Sequence, residues 1–180
     1  MAREESPPSV GSPGVGDASA LLALLGTSEN DGRVGRYVKS LAQSARPSKP
    51  ERNSFPPSCE YFNHKSVGLS LAYESGVLDA IHLYADGVDG FTGFKGQAPW
   101  GVTLCDFEGN GEVLLSDRNR STGKTVVEKL GEPTSKGKAG GFVFVQYDAL
   151  GVKFDLESSD WENAEACVRC VSLWTVATGK

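Results

Sequence analysis

The sequence predicts an α+β protein: an antiparallel sheet of six or seven strands, helices packed on one side, assembled from two similar halves. Three observations lead there. Apolar residues recur at helical spacing near the start and again over 121–133. Between and after these stretches the period drops to two. And "HKSVGLSLAYES" at 64–75, followed by "VLDAIHLY", is echoed by "YDALGVKFDLES" and "VRCVSLW".

Residues 1–16 are Ser, Pro and Gly with little apolar side chain to bury, the composition of a disordered tail. Asp17 is a good N-cap for "ASALLALLG", with Gly26 as its stop. A second helix is expected in "DGRVGRYVKSLAQSA", where Val34, Tyr37, Val38 and Leu41 share one face. Residues 46–58 contain four prolines and read as a loop. From Cys59 the chain reads as strands, with Leu69, Leu71 and Tyr73 alternating against Ser70 and Ala72. "VLDAIHLYA" is the next strand, completing a first half over 17–85. A Gly-rich and acidic connection, 86–120, carries one short strand, "VTLCDF".

The second half, 121–176, opens with "STGKTVVEKLGEP", a helix capped by Ser121 or Thr122 and stopped by Gly131 and Pro133. "GGFVFVQY", "GVKFDLES" and "CVRCVSLWTV" are its strands, the last two separated by the acidic "SSDWENAEA". Aligned without gaps, 59–75 falls on 142–158, pairing Gly68 with Gly151, Glu74-Ser75 with Glu157-Ser158, and His64 with Tyr147. "LDAIHLY" then falls on "VRCVSLW", and Leu25-Gly26 is matched to Leu130-Gly131. The order of landmarks argues for a duplicated unit.

Leu130-Gly131-Glu132-Pro133, with the strands over 147–156 and 168–174 behind it, resembles the tandem modules of β-lactamase-inhibitor-protein-like and BamE-like (SmpA/OmlA) domains. That resemblance implies two helix-plus-strands units sharing one sheet over 17–176, and a role in binding other proteins rather than in catalysis. It carries over no functional residue.

Composition narrows the function. A net charge of −5 with scattered Lys and Arg argues against nucleic-acid binding. No run reaches the 18 or so apolar residues of a membrane helix, and the first residues lack the apolar segment of an export signal, so a cytoplasmic, soluble protein with reduced thiols is expected.

Each chemical motif has a defect. "DFEGNGEVLLSD", 106–117, offers Asp106, Glu108, Asn110 and Asp117 to calcium around Gly111. However, Glu at the third position, Asp at the twelfth and the lack of an entering helix favour an acidic turn. "STGKT" lacks the first glycine of a phosphate loop, having Arg118 there. Cys167 and Cys170 have metal-site spacing but lie in a strand pattern that sends them to opposite faces. No nucleophile elbow is present, and His82 belongs to the face opposite Ile81 and Leu83. No catalytic residue, metal ligand or cofactor is therefore assigned.

Aromatic residues remain. Phe91, Phe94 and Trp100 in "GFTGFKGQAPWG", with Trp161, are the candidate partner-binding residues. The function expected is non-catalytic binding of another protein through an open sheet face and this loop. The alternative is a small enzyme or ligand-binding protein with a pocket between the halves.

Overall fold

The computed structural model describes residues 18–42, 48–95, 101–102, 113–114 and 120–176. Two helices open the chain, α1 (Ala18–Leu22) and α2 (Gly32–Leu41). Asp31 caps α2 by accepting a 2.8 Å hydrogen bond from the Arg33 amide. Val34, Val38 and Leu41 are the buried stripe of α2, with Tyr37 packed at its edge.

Strands β1 (Glu51–Phe55), β2 (Cys59–His64), β3 (Leu69–Glu74) and β4 (Val77–Tyr84) follow. A small ladder pairs β5 (Gly101–Val102) with β6 (Val113–Leu114). Then come α3 (Gly123–Leu130), β7 (Ser135–Ala139), β8 (Phe142–Tyr147), β9 (Val152–Leu156) and β10 (Val168–Trp174). Thr122 caps α3, its hydroxyl accepting from the Thr125 amide.

The main sheet is antiparallel and eight-stranded, in the order β1-β2-β3-β4-β10-β9-β8-β7. This exceeds the six or seven strands expected because both edge strands were missed. β1 lies inside the proline-rich stretch read as a loop, and β7 follows α3 where no strand was assigned. Each exposes nearly its whole length, so neither carries the alternation that marks a half-buried strand. α1 is also shorter than its apolar run suggested, giving way to turns after Leu22.

One face of the sheet is apolar. Leu69, Leu71, Tyr73, Ile81, Leu83, Val171, Leu173, Val152, Phe154 and Leu156 form a single buried cluster with Leu21, Leu24, Val34, Val38 and Leu41 from the first helices and Val126 from α3. Removing this apolar surface from water is the main favourable term for folding. Leu25-Gly26 and Leu130-Gly131 occupy different places. Gly26 precedes α2 and bonds to the Leu78 carbonyl, whereas Gly131 follows α3 and bonds to Val127. No described helix is long and apolar enough to cross a membrane.

Candidate functional site

Strand period two puts a different set of side chains on the second face. The registers align one residue from each strand into a polar row: Glu51, Asn63, Ser70, His82, Ser172, Lys153, Gln146 and Ser135. Much of the row bonds locally. The Ser70 hydroxyl donates to Asn63 Oδ1 at 2.6 Å, and His82 Nδ1 lies 2.8 Å from Ser172 Oγ. Lys153 pairs with Asp155 at 3.1 Å and stands over the Phe144 ring. Aromatic rings flank the row, Tyr61 and Trp174 on one side, Tyr84 and Phe144 on the other.

The centre of this face is not freely exposed. Ser70 is 0% and Ser172 4% exposed, and His82 Nε2 is buried without a hydrogen-bond partner among the described residues. Burial, with Lys153 adding repulsion, lowers the His82 pKa to about 4, so the ring is neutral near pH 7. Cys170 lies beside this pair, and burial pushes its thiol up to about 12, which leaves it a poor nucleophile.

The accessible part lies at the β1–β2 end. There a groove of about 410 Å³ is lined by Glu51, Asn53, Phe55, Cys59, Tyr61, Asn63, Lys65, Tyr84, Asp89 and Phe91. Every second residue of β1 contributes to its wall. Phe55 is 55% exposed and meets Tyr61 edge to face, with ring centroids 5.6 Å apart. Tyr84 stacks on Phe91 at 3.9 Å. The charges are compensated: Lys65 sits 2.7 Å from Glu51 and holds its carboxyl below the usual range, and Arg169 bonds Asp89 at 3.0 Å. Other cavities, of about 320 and 310 Å³, lie beside α2 and α3, and one of about 430 Å³ lies at the Pro56-Pro57 turn. Each of these four is lined from within one half or its adjoining connection.

The sequence-predicted binding residues separate. Phe91 and Phe94 are only 5% and 2% exposed: Phe94 packs in the core cluster, whereas Phe91, stacked on Tyr84, still lines the groove. The chain around them is tied down: the Phe94 amide donates to the Tyr84 carbonyl and the Gly93 amide to Asp86. Trp100 lies outside the described residues, as does 106–117 apart from the backbone of β6. Trp161 is 39% exposed and forms a wall of the α3 cavity, far along the chain from the β1 groove.

Sequence reading missed Phe55 and Tyr61 as wall residues, and took Tyr84, an aromatic at a strand end, for core packing. The signal available was Phe55 itself, a large aromatic between polar neighbours and two prolines. Among the described residues no cluster of three His, Cys, Asp or Glu could hold a metal, and Cys59, Cys167 and Cys170 are free thiols. In "STGKT", Gly123 packs against Leu156 and Lys124 lies on the α3 surface. No protein-family model, curated protein or solved structure matches this chain.

Proposed function

We propose that this chain is a non-catalytic binding protein that receives another protein at the β1–β2 end of its second sheet face. The observation that carries the reading is the groove itself. It combines exposed aromatic surface with amides and ion-paired charges, the mixture typical of recognition sites, and it opens beside a strand edge unpaired among the described residues. A non-catalytic role is supported by the state of the polar groups at the centre of the face. Ser172 is buried against His82, no carboxylate among the described residues bonds the other ring nitrogen, and the neighbouring thiol is held protonated. The test is affinity capture from the native cell with the full chain and with Tyr61→Ala. A specific partner retained by the wild type and lost by the folded variant is expected, and failure to enrich any protein would sink the reading.

A second reading, small-ligand binding, is favoured by the groove volume, which falls within the range of ligand sites. It would place the ligand within the first half rather than between the halves.

We further propose that the sheet is two copies of one unit, with helices on one side, in line with the resemblance to tandem BamE-like modules. The supporting detail lies in the backbone. β2 and β8 both end in a one-turn 3-10 helix, Lys65–Val67 and Asp148–Leu150, closed by a left-handed glycine, Gly68 or Gly151. The Tyr84 amide bonds the Gly68 carbonyl, and the Trp174 amide bonds the Gly151 carbonyl. Leu78 bonds Thr27 as Val168 bonds Ser121, and the bridges Ser28–Val77 and Thr122–Cys167 sit at the same points. In this correspondence α3 matches α2, so the matched Leu-Gly pairs are coincidental.

A further inference from the structure

Resting on the proposed binding role, we infer that the outer edge of β1 receives an extended segment of the partner as a ninth strand. That segment places an aromatic or aliphatic side chain against Phe55 and Tyr61, and a lysine or arginine beside Glu51.

The two free edges of the sheet are not alike. β7 presents Lys136 and Lys138 at alternate positions with Gly137 between them, a charged edge of the kind that discourages pairing. β1 is charged too, at Glu51 and Arg52, but both are held by pairs within the chain. It has neither lysine nor proline within Glu51–Phe55, all five residues are exposed, and it pairs only with β2 among the described residues. Its outward N–H and C=O groups are therefore a template for a further strand. An added strand would also send alternate side chains to the groove side, because Glu51, Asn53 and Phe55 already line it. Main-chain bonds would supply affinity and the groove would supply selectivity.

Charge selects the occupant. The carboxylates around β1, Glu29, Glu51, Glu60 and Asp89, are paired with Arg52, Lys65 and Arg169, and Lys49 precedes the strand. The selecting group is therefore Glu51 itself, whose side chain stays 52% exposed and can share its charge between Lys65 and an incoming cation. The whole chain is acidic as well, at −5. The apolar end is fixed by Phe55, whose ring is the most exposed large hydrophobic group described. Glu51 and Phe55 are four residues apart on one side of the strand, so a matching segment carries its basic and aromatic residues four apart.

The probe is a fluorescein-labelled heptapeptide of Thr and Val bearing Phe and Arg at that spacing, with two twins. In one, Glu replaces Arg. In the other, alternate amides are N-methylated. Anisotropy titrations against the full chain should show saturable binding of the Phe/Arg peptide, several-fold weaker binding of the Glu twin and at least tenfold loss for the N-methylated twin. Phe55→Ala should weaken binding, Glu51→Lys should reverse the preference between Arg and Glu, and Lys136→Ala on the opposite edge should change nothing.

Absence of saturable binding up to about 1 mM, or equal binding of the N-methylated twin, would overturn the inference. So would indifference to Phe55→Ala, or a chain dimer in sedimentation that Phe55→Ala abolishes, since the edge would then belong to a second copy. The edge inference fails separately from the groove reading: if Tyr61→Ala releases the captured partner while Phe55→Ala and N-methylation do not matter, the groove stands and the edge does not.

Discussion

Gly68 and Gly151 hold φ of +68° and +62°, a region that costs little only for glycine. A Cβ on Gly68 would strike the Thr92–Phe94 backbone, and one on Gly151 would strike the Trp174 carbonyl. Gly68→Ala and Gly151→Ala should each destabilise by more than about 1 kcal/mol, read as a lowered urea midpoint. Equal stability of either variant with the wild type would remove the strain argument.

His82 makes a second residue-scale prediction. Its pKa is depressed from 6.5 to about 4, so the native state binds fewer protons than the unfolded chain between those values. The stabilising contribution is complete above about pH 6.5 and is lost as pH falls through about 4, amounting to at most ~3 kcal/mol. Burial lowers the His64 pKa in the same direction. His82→Gln should flatten the slope of stability between pH 6.5 and 4.5 relative to wild type; an unchanged slope would show that the ring is not the titrating group. The sequence placed His82 on the correct face, because period two alone decides that. It could not show Ser172 opposite, because their contact joins strands ninety residues apart.

Among elements, legibility followed burial. β3, β9 and β10 were visible because one or both faces are buried, and α2 because its apolar stripe is regular. β1 and β7 were invisible because solvent on both sides imposes no pattern. The groove was missed with β1, which supplies Glu51, Asn53 and Phe55 to its wall. The lysines of β7 act by deterring pairing, so replacing both Lys136 and Lys138 with Val should promote concentration-dependent aggregation without unfolding the monomer. Light scattering identical to wild type at high concentration would contradict this. At α3, Thr122→Ala should cost about 1 kcal/mol by releasing the Thr125 amide, measurable as a shift in the urea midpoint.

For the whole molecule, the decisive feature is that one apolar cluster runs beneath both four-stranded groups. Neither group can lose its packing alone, so unfolding should be a single transition. Trp161 and Trp174 lie in the second half, Trp100 in the connection and none in the first half, so in a Trp100→Phe background indole fluorescence follows one half while far-ultraviolet circular dichroism follows both. The two curves should coincide; separate midpoints would mean independent halves. Phe154→Ala, at a site with 0% exposure, should move both curves together by about 3–5 kcal/mol.

The β4–β10 register has a consequence for how two copies can share one sheet. In the proposed duplication every residue of this seam faces a position that is not its own counterpart, as Tyr84 faces Cys170 and Ala80 faces Trp174, with one exception. His82 faces Ser172, and the two are counterparts, so the axis relating the copies passes through their hydrogen bond. A protein with perfect twofold symmetry would have to place the same side chain there twice. Divergence at that one point allows an imidazole and a hydroxyl to meet. The exchange His82→Ser with Ser172→His should therefore retain more stability than either single change, since the axis does not distinguish which copy supplies the ring.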